Sequence, residues 1–170
     1  MVDFALVNFL QAVCPKVPGV KSHWVPTRFQ MRANFGQIGY TAILDGGLCI
    51  WEEPGNVEAL LECKALNRDS ALPGVQFQEA SQIAAWLMQK NRPASVETGR
   101  IFLVSQNGKE IYITLGTLDR QYLGYLTRGQ NISRFLKLYL YGPWFIHNAN
   151  HMEDLAEIIL AFVLKVGDGK

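Results

Sequence analysis

Glu62 and Lys64 stand two positions apart in the apolar run LLECKAL, residues 60 to 66. In a strand, residues two apart share a face, so a carboxylate and an ammonium project together from what otherwise reads as buried sheet. Asp45 lies one hairpin upstream. With a turn over Glu53 to Asn56, Glu52 pairs with Val57, Leu48 falls near Leu61, and Asp45 comes opposite Lys64 and diagonal to Glu62. Two carboxylates converging on one point suit a hard divalent cation, which takes oxygen ligands and keeps several waters. The Cys63 carbonyl offers a further oxygen. Lys64 would orient or activate an attacking water, or stabilise charge that develops on a phosphate. Such a set suits phosphodiester hydrolysis, with the metal polarising the phosphate and generating hydroxide.

A plainer reading competes. An E-x-K on a strand is common, and an Asp45–Lys64 pair across two strands is ordinary sheet stabilisation. Asp45-Gly46 is also a frequent turn dipeptide, in which Asp serves the backbone. Gly46 and Gly47 can form a bulge, and a slip of one residue would turn Asp45 to the other face. On spacing alone, the structural reading is the stronger.

The elements that must position these residues follow from periodicity. Phe4, Val7, Leu10 and Cys14 fall at helical spacing, with Asp3 as a cap and Pro15 as a stop. A first strand is expected from about Trp24 to Phe35, confined to an edge by Pro26. IGYTAILDGGLCIWEE is a second strand region and VEALLECKAL a third, with a turn at Pro54-Gly55-Asn56 between them. Over 76–90, Phe77, Ala80, Ile83, Ala84, Leu87 and Met88 give the apolar stripe of a helix that ends before Pro93. RIFLVSQ and KEIYITLGTL flank Asn107-Gly108, a strong hairpin signal. RFLKLYLYG makes a further strand up to Pro143. Asn150 with Glu153 forms a capping box for a closing helix, whose stripe is Leu155, Ile158, Ile159, Phe162 and Val163.

At 170 residues the chain fits one domain over 1–170 with a sizeable core. Sixteen Lys and Arg against fifteen Asp and Glu leave a net charge of +1, so a nucleic-acid partner would need a local basic surface or metal ions. Cys14, Cys49 and Cys63 are an odd count without a CxxC pair, which argues against a disulfide framework or a zinc knuckle. The opening MVDFALVNFL carries Asp3 where a secretory signal would want positive charge, and no apolar stretch is long enough for a membrane span. The expectation is an intracellular protein, of nucleus or cytoplasm.

The strings GYTAILDG, VEALLECKAL and FQEASQIAAWL together resemble the PD-(D/E)xK nuclease superfamily, specifically the nuclease-like domains of filamentous fungi. In that group a strand bearing Asp precedes an E-V/C-K element, followed by a helix reading Q-E-x-x-Q-x-x-x-W. Asp45, Glu62 and Lys64 match the three core positions, and Gln78, Glu79, Gln82 and Trp86 match the helix. LYLYGPWFIHNANHMEDLAEIILAFVL is similar to the family's G-P-W/F turn and following helix, so the likeness runs from about residue 38 onward. Leu44 stands where the name motif has proline, and only Asp3 answers to the acid often found on the family's first helix.

The resemblance implies a restriction-endonuclease-like α+β fold, with an αβββαβ core and a mixed central sheet flanked by helices. It implies Mg²⁺ or Mn²⁺ held by Asp45 and Glu62, beside which the Cys63 carbonyl is the further metal oxygen that strand position offers. Lys64 becomes the water-activating or charge-stabilising group, and Gln78 an accessory catalytic group orienting phosphate or water. The substrate is nucleic acid, DNA favoured over RNA. The alternative is a catalytically inactive nuclease-fold module that binds a protein partner, with Glu62 and Lys64 a structural pair.

Other features weigh less. His147 and His151 have metal-ligand spacing but fit cap and surface roles better. Gln78 and Gln82, one turn apart, also fit a solvated helix face. Trp86 reads as core. Tyr139, Tyr141, Trp144 and Phe145 suit stacking on bases or hairpin packing. Arg92, Arg100, Arg120, Arg128 and Arg134 suit a phosphate-binding face or a scattered surface.

Overall fold

Apolar alternation on the strands and apolar stripes on the helices demand a sheet covered by helices, and the computed structural model has that architecture. It describes residues 2–14, 17–89, 99–133 and 135–167. The elements in order are helix α1 (Val2–Val13), strands β1 (Ser22–Val25), β2 (Phe29–Phe35), β3 (Ile38–Leu44), β4 (Gly46–Ile50) and β5 (Glu53–Lys64), and a 3₁₀ turn (Arg68–Ala71). Helix α2 (Gly74–Leu87), strands β6 (Arg100–Asn107) and β7 (Glu110–Thr117), helix α3 (Arg120–Arg128), strand β8 (Lys137–Phe145) and helix α4 (Ala149–Gly167) complete it. A six-stranded mixed sheet runs β1-β4-β5-β6-β7-β8, and β2–β3 form a separate hairpin.

Among the described residues only β5 and β6 pair in parallel, in register from Leu60↔Leu103 to Lys64↔Asn107. A parallel pair needs a crossover, and α2 supplies it. The carboxyl ends of β5 and β6 therefore lie side by side, which is where open mixed sheets carry ligands. Alternation along β5 divides the core in two. Ala59, Leu61 and Cys63 face α1 and α4, packing with Leu6, Leu10, Leu155, Ile159 and Val163. Leu60 belongs to the other cluster, with Leu103, Ile83, Trp86 and Leu87.

Several expected elements move. Pro26 splits the first strand, and Asp45 splits the second, because β3 pairs with β2 while β4 joins the main sheet. Asp45-Gly46 is thus the bend between two sheets, not a hairpin turn. The β4–β5 register is Gly46↔Leu61, Gly47↔Leu60 and Leu48↔Ala59, then Cys49↔Val57 and Ile50↔Glu53. Continuing that ladder brings Asp45 opposite Glu62, not Lys64. Bulges between Leu48 and Ile50 absorb the extra residues of β5, beginning with Glu58. The displacement is two residues, so the face is kept.

The stripe expected on α2 is also corrected. Phe77 is 69% exposed, while the buried residues are Val75, Glu79, Gln82, Ile83, Ala85, Trp86 and Leu87. Helix α3 has no counterpart in the periodicity; its stretch RQYLGYLTR is polar and carries Gly124, yet Asp119 caps it by accepting from the Gln121 N–H at 2.8 Å. The last helix is capped by Asn148, whose Oδ1 accepts from the N–H groups of Asn150 and His151, so Asn150 is not the cap. The Asn107-Gly108 hairpin is as expected, with Gly108 at φ 62° and Asn107 paired to Glu110.

Candidate functional site at the carboxyl end of β5

Glu62 is 2% exposed, on the α2 face of β5. Its Oε1 accepts from Gln78 Nε2 at 2.6 Å and pairs with the Lys64 ammonium. Its Oε2 accepts from Gln82 Nε2, also at 2.6 Å. Gln82 gives its second amide hydrogen to the Ile43 carbonyl at 2.8 Å, tying β3, α2 and β5 together. Residues 78 and 82 are one turn apart, so a single helix face presents both amides to one carboxylate. Gln82 is 1% exposed, and the solvated-face reading of this pair does not hold.

Asp45 reaches the same strand end from the bend before β4. Its Oδ2 accepts from the Cys63 N–H at 3.0 Å, and Arg28 Nε lies 3.8 Å from its Oδ1. Gly46 and Gly47 make this approach close enough. A Cβ on Gly46 would collide with the Val25 carbonyl, and one on Gly47 would meet Val57 at 2.6 Å. Four of the residues expected to act together, Asp45, Glu62, Lys64 and Gln78, therefore share one strand end. Cys63 joins them through its N–H; that is the main-chain bond the geometry records, where the sequence pointed to the carbonyl.

Burial pushes the Glu62 carboxyl up from the usual range; the Lys64 bond opposes this, and the negative Asp45 adds to the rise. Two carboxylates that feel each other in a buried site repel, and a divalent cation would offset both charges. Asp45 Oδ1, which lies near a largely exposed arginine, and Glu62 Oε2 are oxygens suited to such an ion. Among the described residues no three His, Cys, Asp or Glu side chains group as metal ligands. Two carboxylates fit an ion that retains its waters. The side chain of Asp3 lies outside the described residues.

Three features escaped the periodicity. Arg68 and Glu79 form a buried bidentate pair at 2.7 Å per bond, with the guanidinium 5.0 Å from the centre of the Tyr112 ring. This pair fastens α2 next to Gln78. Ser105 and Asn107 flank Glu62 and Lys64 across the parallel ladder; both are buried, and Ser105 Oγ and the Asn107 amide atoms have no hydrogen-bond partner among the described residues. Arg28 is the third. A Q-E-x-x-Q helix facing an E-x-K strand was the signal available for the first; nothing local marks Ser105, Asn107 or Arg28.

The remaining candidates lie elsewhere. Arg100 pairs with Thr117 at the far end of β6, seven residues or roughly 23 Å from Asn107, and Arg120 and Arg128 sit on α3, which packs through Leu126 on the cluster of Leu103, Ile83 and Trp86. They do not gather at the site, and Arg92 and Arg134 lie outside the described residues. His151 Nδ1 accepts from the Phe145 N–H at 3.1 Å, and both His147 and His151 pack on the Phe145 ring. Trp86 is core, donating to the Val57 carbonyl at 2.7 Å. Tyr139 and Tyr141 are exposed on β8, while Trp144 packs on the core and donates to Asp154.

No family model, curated protein or solved structure matches this chain. Among the described residues no helix is long and apolar enough to cross a membrane.

Proposed function

We propose that this chain is a PD-(D/E)xK-type nuclease hydrolysing phosphodiester bonds of nucleic acid, DNA being the favoured polymer, with Mg²⁺ or Mn²⁺ between Asp45 and Glu62. The supporting observation is the convergence of Asp45, Glu62, Lys64 and Gln78 on one strand end. The bound ion would polarise the phosphate and lower the pKa of a coordinated water. Asp45 and Glu62 hold it, with Asp45 oriented by the Cys63 N–H and Glu62 by Gln82. Lys64, turning from Glu62 toward the phosphate, stabilises charge on the non-bridging oxygens or orients the water. Gln78, which contacts Glu62 and borders the open surface, steers the same phosphate or water.

One observation supports the second reading, a nuclease-fold module that binds a protein partner. Glu62 already accepts three donors, one of them the Lys64 cation, and a structural pair needs no more. The open surface beside Lys64 and Gln78 supports the first.

The test is cleavage of labelled single- and double-stranded DNA and of RNA, with Mg²⁺, with Mn²⁺ and with chelator. Glu62→Gln and Lys64→Ala, checked for folding, run alongside. Metal-dependent cleavage that falls by roughly 10²-fold or more in both variants is expected. No cleavage, or cleavage unchanged in the variants, would overturn the reading in favour of the binding module.

A further inference from the structure

Beside Lys64 and Gln78 lies an open hollow of about 440 Å³, walled by Leu66, Ala71, Gly74 and Val75. Its lining is unequal. The polar groups are the two that touch Glu62, and they stand together at the site end. The rest is apolar, and large apolar side chains continue past the rim: Leu66 is 64% exposed, Leu72 adjoins Ala71, and the exposed Phe77 lies one helical turn from Gly74. Single exposed apolar residues need no explanation, but an apolar hollow that opens beside a charged group does.

We propose that this hollow receives an unstacked nucleobase next to the phosphate held at Lys64, so that the substrate of the site is single-stranded nucleic acid. The inference rests on the nuclease reading of Asp45, Glu62 and Lys64. A nucleotide has the same division as the hollow, with an anionic end and a flat, weakly polar end. In a duplex the base faces are hidden in the stack, and a protein surface meets only phosphates and groove edges. In a single strand each base has a face to offer, and apolar and aromatic side chains take it up with little regard to sequence. Leu66, Ala65 and Ala71 supply contact area, and with so few polar groups in the wall the hollow has little to tell one base from another.

Gly74 provides the test. It is the first residue of α2, and a Cβ there would meet nothing within 4 Å, so a large side chain is accommodated in open space and covers the hollow. Binding is read by fluorescence anisotropy in Ca²⁺ for a labelled oligothymidylate, the same length of abasic strand and a duplex, with Mg²⁺-dependent cleavage measured in parallel. The expected result is oligothymidylate binding about ten-fold tighter than the abasic strand or duplex, a preference that Gly74→Gln removes. Leu66→Ser, at an exposed position, reduces it without touching the core. Metal-dependent cleavage with equal binding of all three ligands, or with a preference that both variants leave intact, would overturn the base subsite and leave the nuclease standing. Absence of metal-dependent cleavage of any strand by the wild type would overturn the nuclease reading and this inference with it.

Discussion

The two faces of the main sheet are built to opposite rules. Against α1 and α4, the contacts are apolar but for the buried Gln106 at the end of β6: Leu61, Cys63, Phe102, Val104 and Ile113 meet Leu6, Leu10, Leu155, Ile159 and Val163. Against α2, apolar packing covers only the half around Leu60, Leu103, Ile83 and Trp86. Toward the carboxyl ends of β5 and β6 the same face turns to Glu62, Ser105, Gln82 and the Arg68–Glu79 pair, all buried. A buried polar group without a partner costs about 1–3 kcal/mol, and a buried ion pair rarely outperforms apolar residues of equal volume. A chain selected only to fold could have made both faces alike. The difference teaches that polarity in this core is concentrated at one strand end, the one that holds the candidate site.

Changes on each face should therefore fail in different ways. The largest loss of stability is expected from Arg68→Met, which leaves Glu79 charged and buried without its partner, about 3–5 kcal/mol in denaturant unfolding. Adding Glu79→Leu should recover most of that loss; no recovery would mean that the pair itself, rather than the stranded charge, carries the stability. On the apolar face, Ile159→Ala should cost about 2–4 kcal/mol through the cavity it leaves, with no change in metal dependence.

A smaller, pH-dependent effect separates burial from polarity. Burial pushes the Cys49 thiol up from 9.0 to about 11, with the charge of Glu58 adding to the rise. The folded chain keeps this proton where the unfolded chain releases it, so stability is full below pH 9 and falls as pH rises to 11. The decline is on the order of 2–3 kcal/mol. Tyr112, raised to about 12, adds a decline of the same sign between pH 10 and 12. Unfolding measured from pH 8 to 11 should show a flatter curve for Cys49→Ala than for the wild type; identical curves would refute the burial effect.

The smallest effect on stability is expected at the most polar point. Glu62→Gln removes a buried charge and its repulsion with Asp45, but sets an amide NH2 where an oxygen accepted from Gln78, Gln82 or Lys64. The opposing changes should leave stability within about 1–2 kcal/mol of the wild type, while cleavage is lost. A large destabilisation would instead make Glu62 a structural residue and bring the two faces closer in kind.

Much of this was legible in the sequence where the signal is local. The Asn107-Gly108 hairpin, the apolar stripe of the last helix and the E-x-K on one strand face each depend on neighbours within a few residues. So does the presence of a helix near 76–90, but not its orientation. Periodicity ranked Phe77 as core because it counts only apolar residues, whereas the buried face of α2 is partly Glu79 and Gln82. Their burial depends on Arg68 and Glu62, which lie 11 and 20 positions away. The register of Asp45 depended on where the bulges fall, which no turn dipeptide announced.

By itself, then, the sequence determined most of the strands and helices, though not α3 or the splits at Pro26 and Asp45, and that Glu62 and Lys64 project together, because those are consequences of backbone period. Only the tertiary structure decided that Asp45 meets Cys63 and Glu62, that Gln78 and Gln82 close on one carboxylate, and that Ser105 and Asn107 lie beside it. Those contacts join strands and a helix through a bulge and a crossover, and the packing of the whole sheet sets where each of them lands.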